Sequence, residues 1–141
     1  CHSWINAAIV LDFKLNIACP EGYEPNAKLV AEAGDRVFIT RSPVEAVSGA
    51  NLVTTDVYAS MGQESELQLR LEKFAGFKVN HELMAHAADN AIFMHCLPAH
   101  REEEVSGALL EDETISVVWD EAENRLHAQK ALMVFLLSAN A

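Results

Sequence analysis

The chain has 141 residues, half of them hydrophobic and 22% charged, a size and balance that fit one folded domain and exclude collagen-like or disordered chains. Ten basic residues against 21 acidic ones give a formal net charge of −11, which argues against nucleic-acid or anionic-membrane partners. No apolar run reaches the roughly 18 residues of a membrane span, and no signal-peptide pattern opens the chain. The expectation is a cytoplasmic protein acting on small molecules. Cys1, Cys19 and Cys96 form no CxxC pair and read as reduced thiols. Because residue 1 is Cys rather than Met, the chain is expected to begin partway through a longer protein.

Taken in order, Trp4 to Phe13 reads as a helix with little polar face. Asn16–Cys19 is the first candidate strand, followed by a helix with Pro25 near its start and Gly34 past its end. Val37–Thr40 is the second strand. In Ser42-Pro43-Val44-Glu45, Ser42 can cap a helix, Pro43 fits its first turn and Glu45 can close a capping box. Leu52–Thr55 is the third strand. Leu67, Leu71 and Phe74 recur at helical spacing with a Glu66 to Arg70 pair on another face, and Asn80 can cap a helix through His86. Ile92–His95 and Ile115–Trp119 complete five candidate strands, and Glu121 to Leu137 is the longest helix. Apolar strands alternating with helices imply a doubly wound, mainly parallel α/β sheet flanked by helices, with ligands outside the strands' carboxyl ends. The first helix and the apolar Met133-Val134-Phe135-Leu136-Leu137 run are either buried in this chain's own core, or one or both pack on a further domain or partner.

Three loops carry residues suited to chemistry. After the third strand comes Asp56-Val57-Tyr58-Ala59-Ser60-Met61-Gly62-Gln63-Glu64, in which Asp56 can accept an ammonium group and Ser60 can donate. A turn and helix cap would explain the same residues. After the fourth strand comes His95-Cys96-Leu97-Pro98-Ala99-His100-Arg101, where Cys96 can be a nucleophile with His95 or Arg101 stabilising its thiolate, or an inert thiol. His95 and His100 have no third ligand at a metal spacing, so no metal site is expected. After the fifth strand, Arg125 falls in the first turn of the last helix, where it can meet an anionic ligand or pair with Glu121 or another surface acid. No GxGxxG, Walker or GxSxG motif is present, and no cofactor is expected.

Taken together, Asp56-Val57-Tyr58-Ala59-Ser60-Met61-Gly62-Gln63-Glu64, His95-Cys96-Leu97-Pro98 and Glu121-Ala122-Glu123-Asn124-Arg125 strongly resemble ornithine carbamoyltransferase. Cys19-Pro20-Glu21-Gly22-Tyr23-Glu24-Pro25 and Leu126-His127-Ala128-Gln129-Lys130-Ala131 look like its bacterial anabolic branch. The resemblance covers nearly all of this chain but only the carboxyl-terminal half of the family's subunit. It implies a Rossmann-like domain spanning residues 1–141, one of the two in a carbamoyltransferase subunit. The implied activity moves a carbamoyl group from carbamoyl phosphate to the δ-amine of ornithine, giving citrulline and phosphate in arginine biosynthesis. By the same resemblance, Asp56 holds the α-ammonium, Ser60 and Met61 grip the amino-acid end, Cys96 and the Leu97 carbonyl lie beside the δ-nitrogen and the carbamoyl group, and Arg125 reaches carbamoyl phosphate. A cis Leu97-Pro98 bond and a homotrimeric enzyme are also implied.

The departures bound these expectations. The family's Ser-Thr-Arg-Thr-Arg and His-Pro-x-Gln motifs of the carbamoyl-phosphate domain do not appear, nor does the Gly-Asp-x-Asn-Asn strand end that supplies an ornithine ligand and the sheet's central strand. The isolated chain is expected to be inactive. Tyr58 stands where Trp is usual, and Glu102 replaces a Gly. A carbamoyltransferase for a related amine and a noncatalytic amino-acid-binding or assembly module are the alternatives.

Overall fold

The strands pair in two parallel couples. In the computed structural model, which describes residues 1–59 and 66–138, β1 (Leu15–Ala18) pairs with β2 (Val37–Thr40), and β3 (Leu52–Thr55) pairs with β4 (Ile92–His95). Registers run Leu15 to Val37 and Leu52 to Ile92, so each couple ends level at its carboxyl edge. The first strand lies one residue earlier than expected, although the Cys19 N–H still donates to the Thr40 carbonyl at 3.2 Å.

The fifth expected strand is reduced to one bridge. Ser116 sits parallel to Phe93, with Phe93 N–H donating to Ile115 O at 2.9 Å and Val117 N–H to Phe93 O at 3.0 Å. The final helix, α7 (Val118–Ser138), then begins three residues before Glu121. Asp120 and Glu121 occupy its first turn, where carboxylates complement the helix dipole. That local preference ends the strand early.

Helices flank the strands in the Rossmann-like manner. The α1 helix (His2–Leu11) packs on β1 and on α2 (Ala27–Ala33). Asn26 caps α2 by accepting the Lys28 and Leu29 N–H groups, and Gly34 closes it at φ 60°, a backbone region that costs glycine little. A short 3-10 turn, Gly34–Arg36, leads into β2. In α3 (Pro43–Val47), Ser42 Oγ accepts the Glu45 N–H at 3.2 Å as a capping box requires, but the Glu45 carboxylate accepts from Thr40 Oγ1 instead of returning to Ser42. The cap is half closed. The α4 helix (Leu67–Lys73) carries the expected Glu66 to Arg70 pair at 3.0 Å. Asn80 caps α5 (His81–Met84), which stops before His86, and α6 (Gly107–Leu110) follows Ser106.

The core gathers around β3 and β4. Phe93, Val105, Leu109 and Val118 are fully buried there, each contributing roughly 1.5–3 kcal/mol by leaving water. In α7, Val118 is buried, whereas Leu126 and the run from Leu132 to Leu137 are exposed. Of the two readings of that apolar run, burial in this chain's own core is the one the structure contradicts.

The two couples do not join. Among the described residues no hydrogen bonds link β1 to β3, and both line a cleft of about 540 Å³.

Candidate active site

Because β3 and β4 end in register, Thr55 opposite His95, the next residues, Asp56 and Cys96, emerge side by side. Cys96 Sγ donates to Asp56 Oδ1 at 3.5 Å, and that oxygen also accepts the Val57 N–H at 2.8 Å. Both residues line the cleft, with Glu121 from the start of α7. Burial is the largest cause of a raised Cys96 pKa, reinforced by Asp56 and Glu121. The site therefore holds a neutral thiol, not an activated thiolate.

The thiolate partners expected from the sequence are corrected here. His95 does not face Cys96: its ring is fully buried with Nε2 3.0 Å from Glu104 Oε1. Arg101 pairs with Glu111. What His95 does is hold the loop, since its Nδ1 accepts the Leu97 N–H at 3.1 Å. Leu97 has φ 37° and the Leu97-Pro98 bond is cis. A non-glycine residue at positive φ costs on the order of 1–3 kcal/mol, and the anchored imidazole helps to hold it there.

The cleft has an aromatic wall. Tyr58 is buried and stacks on Phe74 with ring centres 4.7 Å apart, while Tyr23 meets Phe74 edge-on at 4.9 Å. Arg70 donates to the Tyr58 carbonyl at 3.0 Å and lies 5.5 Å from the Tyr23 ring centre. Glu102 adopts φ 69°, the conformation a glycine would take without strain. Its carboxylate offsets that cost by accepting the Gly107 N–H at 2.8 Å and pairing with Lys78 at 3.3 Å.

Arg125 and Glu121 exchange their expected places, and two further residues cannot be placed. Arg125 does not lie in a first turn, because α7 starts seven residues earlier. It is exposed, away from the cleft lining, and forms no ion pair among the described residues. Glu121, weighed from sequence only as a partner for Arg125, is in the cleft instead. It lies just beyond the Ser116 bridge, so the rule that ligands gather at strand carboxyl ends could have found it. Ser60 and Met61 lie outside the described residues. The resulting arrangement is two carboxylates, Asp56 and Glu121, around a neutral thiol, which suits a cationic or amine-bearing ligand.

Residues 1–136 match the family model described as "Aspartate/ornithine carbamoyltransferase, Asp/Orn binding domain". The chain belongs to the aspartate/ornithine carbamoyltransferase family. It is 62% identical over 137 residues to an ornithine carbamoyltransferase of Chromohalobacter salexigens, covering 97% of this chain and 45% of that protein. An anabolic ornithine carbamoyltransferase of Pseudomonas aeruginosa is 59% identical with the same coverage. The crystal structure of the anabolic ornithine carbamoyltransferase of Campylobacter jejuni superposes with a TM-score of 0.89 at 34% identity, over 98% of this chain and 48% of that one. The chain thus spans about 45% of the length of the curated relatives it matches.

Proposed function

We propose that residues 1–141 form the ornithine-binding domain of an ornithine carbamoyltransferase, which transfers the carbamoyl group of carbamoyl phosphate to the δ-amine of L-ornithine in arginine biosynthesis. The observation that carries this reading is the Cys96 thiol against Asp56 at the level ends of β3 and β4, within a domain of this family. Carbamoyl phosphate is the second substrate, its domain comes from the remainder of a cytoplasmic, trimeric enzyme, and that remainder covers the apolar face of α7.

Attack on the carbamoyl carbon needs a neutral δ-amine, whose free pKa resembles the roughly 10.4 of lysine. Lowering it by about three units costs about 4 kcal/mol. Closure that excludes water from the cleft disfavours the ammonium form. The neutral Cys96 thiol and the Leu97 carbonyl hydrogen-bond the amine, and the amine itself attacks, so no acyl-cysteine is required. Asp56 holds the α-ammonium, with Ser60 and Met61 closing over the amino-acid end. Arg125 meets carbamoyl phosphate when the two domains come together, a role compatible with its distance from the cleft of this half.

Calorimetric titration with ornithine and with norvaline, which lacks the δ-amine, tests the reading. Both should bind, and Asp56→Asn should weaken both by about tenfold or more, the equivalent of one lost charge-assisted contact of about 1.4 kcal/mol. Citrulline should form only after the carbamoyl-phosphate half is added, and Cys96→Ala should then slow turnover and weaken ornithine together. Binding with no restored turnover favours a noncatalytic module, and failure of ornithine to bind the reconstituted enzyme overturns the proposal.

A further inference from the structure

The loop that begins at His95 ends in a second cluster, separate from the cleft. His100 Nδ1 is 3.4 Å from Glu103 Oε2, and one donor atom from each of His100, Glu103 and Glu104 lies within 4.8 Å of the others. Glu104 is fully buried yet uses one oxygen only. Its Oε1 accepts from His95 Nε2 at 3.0 Å and from the His100 backbone N–H at 2.7 Å, whereas Oε2 is buried without a hydrogen-bond partner. Tyr58 is 7% exposed, its hydroxyl is buried and unpartnered, and it is close enough to Glu104 and Glu103 for their charges to add to burial in raising its pKa.

A buried carboxylate oxygen is stabilised by a donor or a cation, and two such oxygens lie in this one cluster. The unpartnered carboxylate atoms are acceptors, the second oxygen of Glu104 and Glu103 Oε2, and His100 Nδ1 lies 3.4 Å from the latter. The ligand that satisfies them is a small cation.

We propose that His100, Glu103 and Glu104 bind one divalent transition-metal ion, with the Tyr58 hydroxyl beside it. One imidazole and two carboxylates suit Zn²⁺, Co²⁺ or Mn²⁺ better than the all-oxygen preference of Ca²⁺ or Mg²⁺. Glu104 has the form of a metal-binding carboxylate, one oxygen fixed by donors and the other free. A sequence search for a third His or Cys misses this set, because its other ligands are adjacent glutamates. Bound there, the ion ties His100 to Glu104 at the base of the loop that presents Cys96 and Leu97. The three ligands lie outside the lining of the amino-acid cleft, although Tyr58 belongs to its wall.

Cobalt titration of the full chain, followed by visible absorption and calorimetry, tests it. One equivalent should bind with ligand-field bands and no sulfur charge-transfer band. His100→Ala and Glu103→Gln, both at partly exposed positions, should each weaken binding at least about tenfold, while Asp56→Asn leaves it unchanged. No uptake at millimolar cobalt, a sulfur charge-transfer band, or unchanged affinity in both variants overturns the site.

Discussion

His95 Nε2 and Glu104 Oε1 lie 3.0 Å apart with both side chains fully buried. Because the Leu97 N–H donates to Nδ1, the ring's proton sits on Nε2 and is donated to the carboxylate. A connected path therefore runs from a buried glutamate, through the imidazole, to the left-handed residue beside Cys96.

His95→Ala removes both bonds and leaves a ring-sized cavity. The expected loss is about 3 kcal/mol, read from urea denaturation midpoints. His95→Gln keeps an amide in the ring's place and should lose less. Equal losses would show that the amide replaces neither bond.

Cys96 should be a poor nucleophile in the free protein. Burial first, then Asp56 and Glu121, raise its pKa, and only the thiolate alkylates. Asp56→Asn removes a charge and an acceptor that both oppose ionisation, so iodoacetamide should modify Cys96 faster in the variant at about pH 8. Peptide-resolved mass spectrometry measures the rates, and a slower variant would contradict the electrostatic account.

Asp112 gives a pH dependence of defined sign. Hydrogen bonds from Thr114, then His81, lower its pKa from 3.8 to about 2 in the fold. A depressed carboxylate contributes stability above its unfolded pKa and loses it as pH falls through the folded value. The melting temperature of Asp112→Asn should therefore fall below that of the parent at neutral pH, and the difference should shrink between pH 3.8 and about 2. A pH-independent difference would assign the effect to packing.

The exposed apolar residues of α7 should govern association of the isolated chain. Hydrophobic dye binding and light scattering should both detect it, and Leu132→Glu with Phe135→Glu, one turn apart on the helix, should suppress both. A monomer that binds no dye before substitution would contradict this.

Much of the site was legible because strand ends have local signatures. Asp56 and Cys96 come directly after short apolar runs, and parallel pairing in register brings their side chains together. Glu102 was legible only as an oddity, and its positive φ and two compensating contacts explain how the loop accepts it. Arg125 was misplaced because helix α7 starts at Val118, a boundary set by the acidic first turn and by the single bridge that ends the fifth extended segment.

The sequence by itself determined the alternating α/β pattern, the positions of β2, β3 and β4, the caps at Ser42 and Asn80, and the family resemblance, since each depends on local periodicity, turn chemistry or motif order. Only the tertiary structure decided that His95 turns inward to Glu104 rather than toward Cys96, that Glu121 rather than Arg125 reaches the cleft, and that β1 and β3 leave an interval between them. Those outcomes depend on which face of a loop is desolvated and which strand edges find partners. Both are settled by residues far apart in the chain.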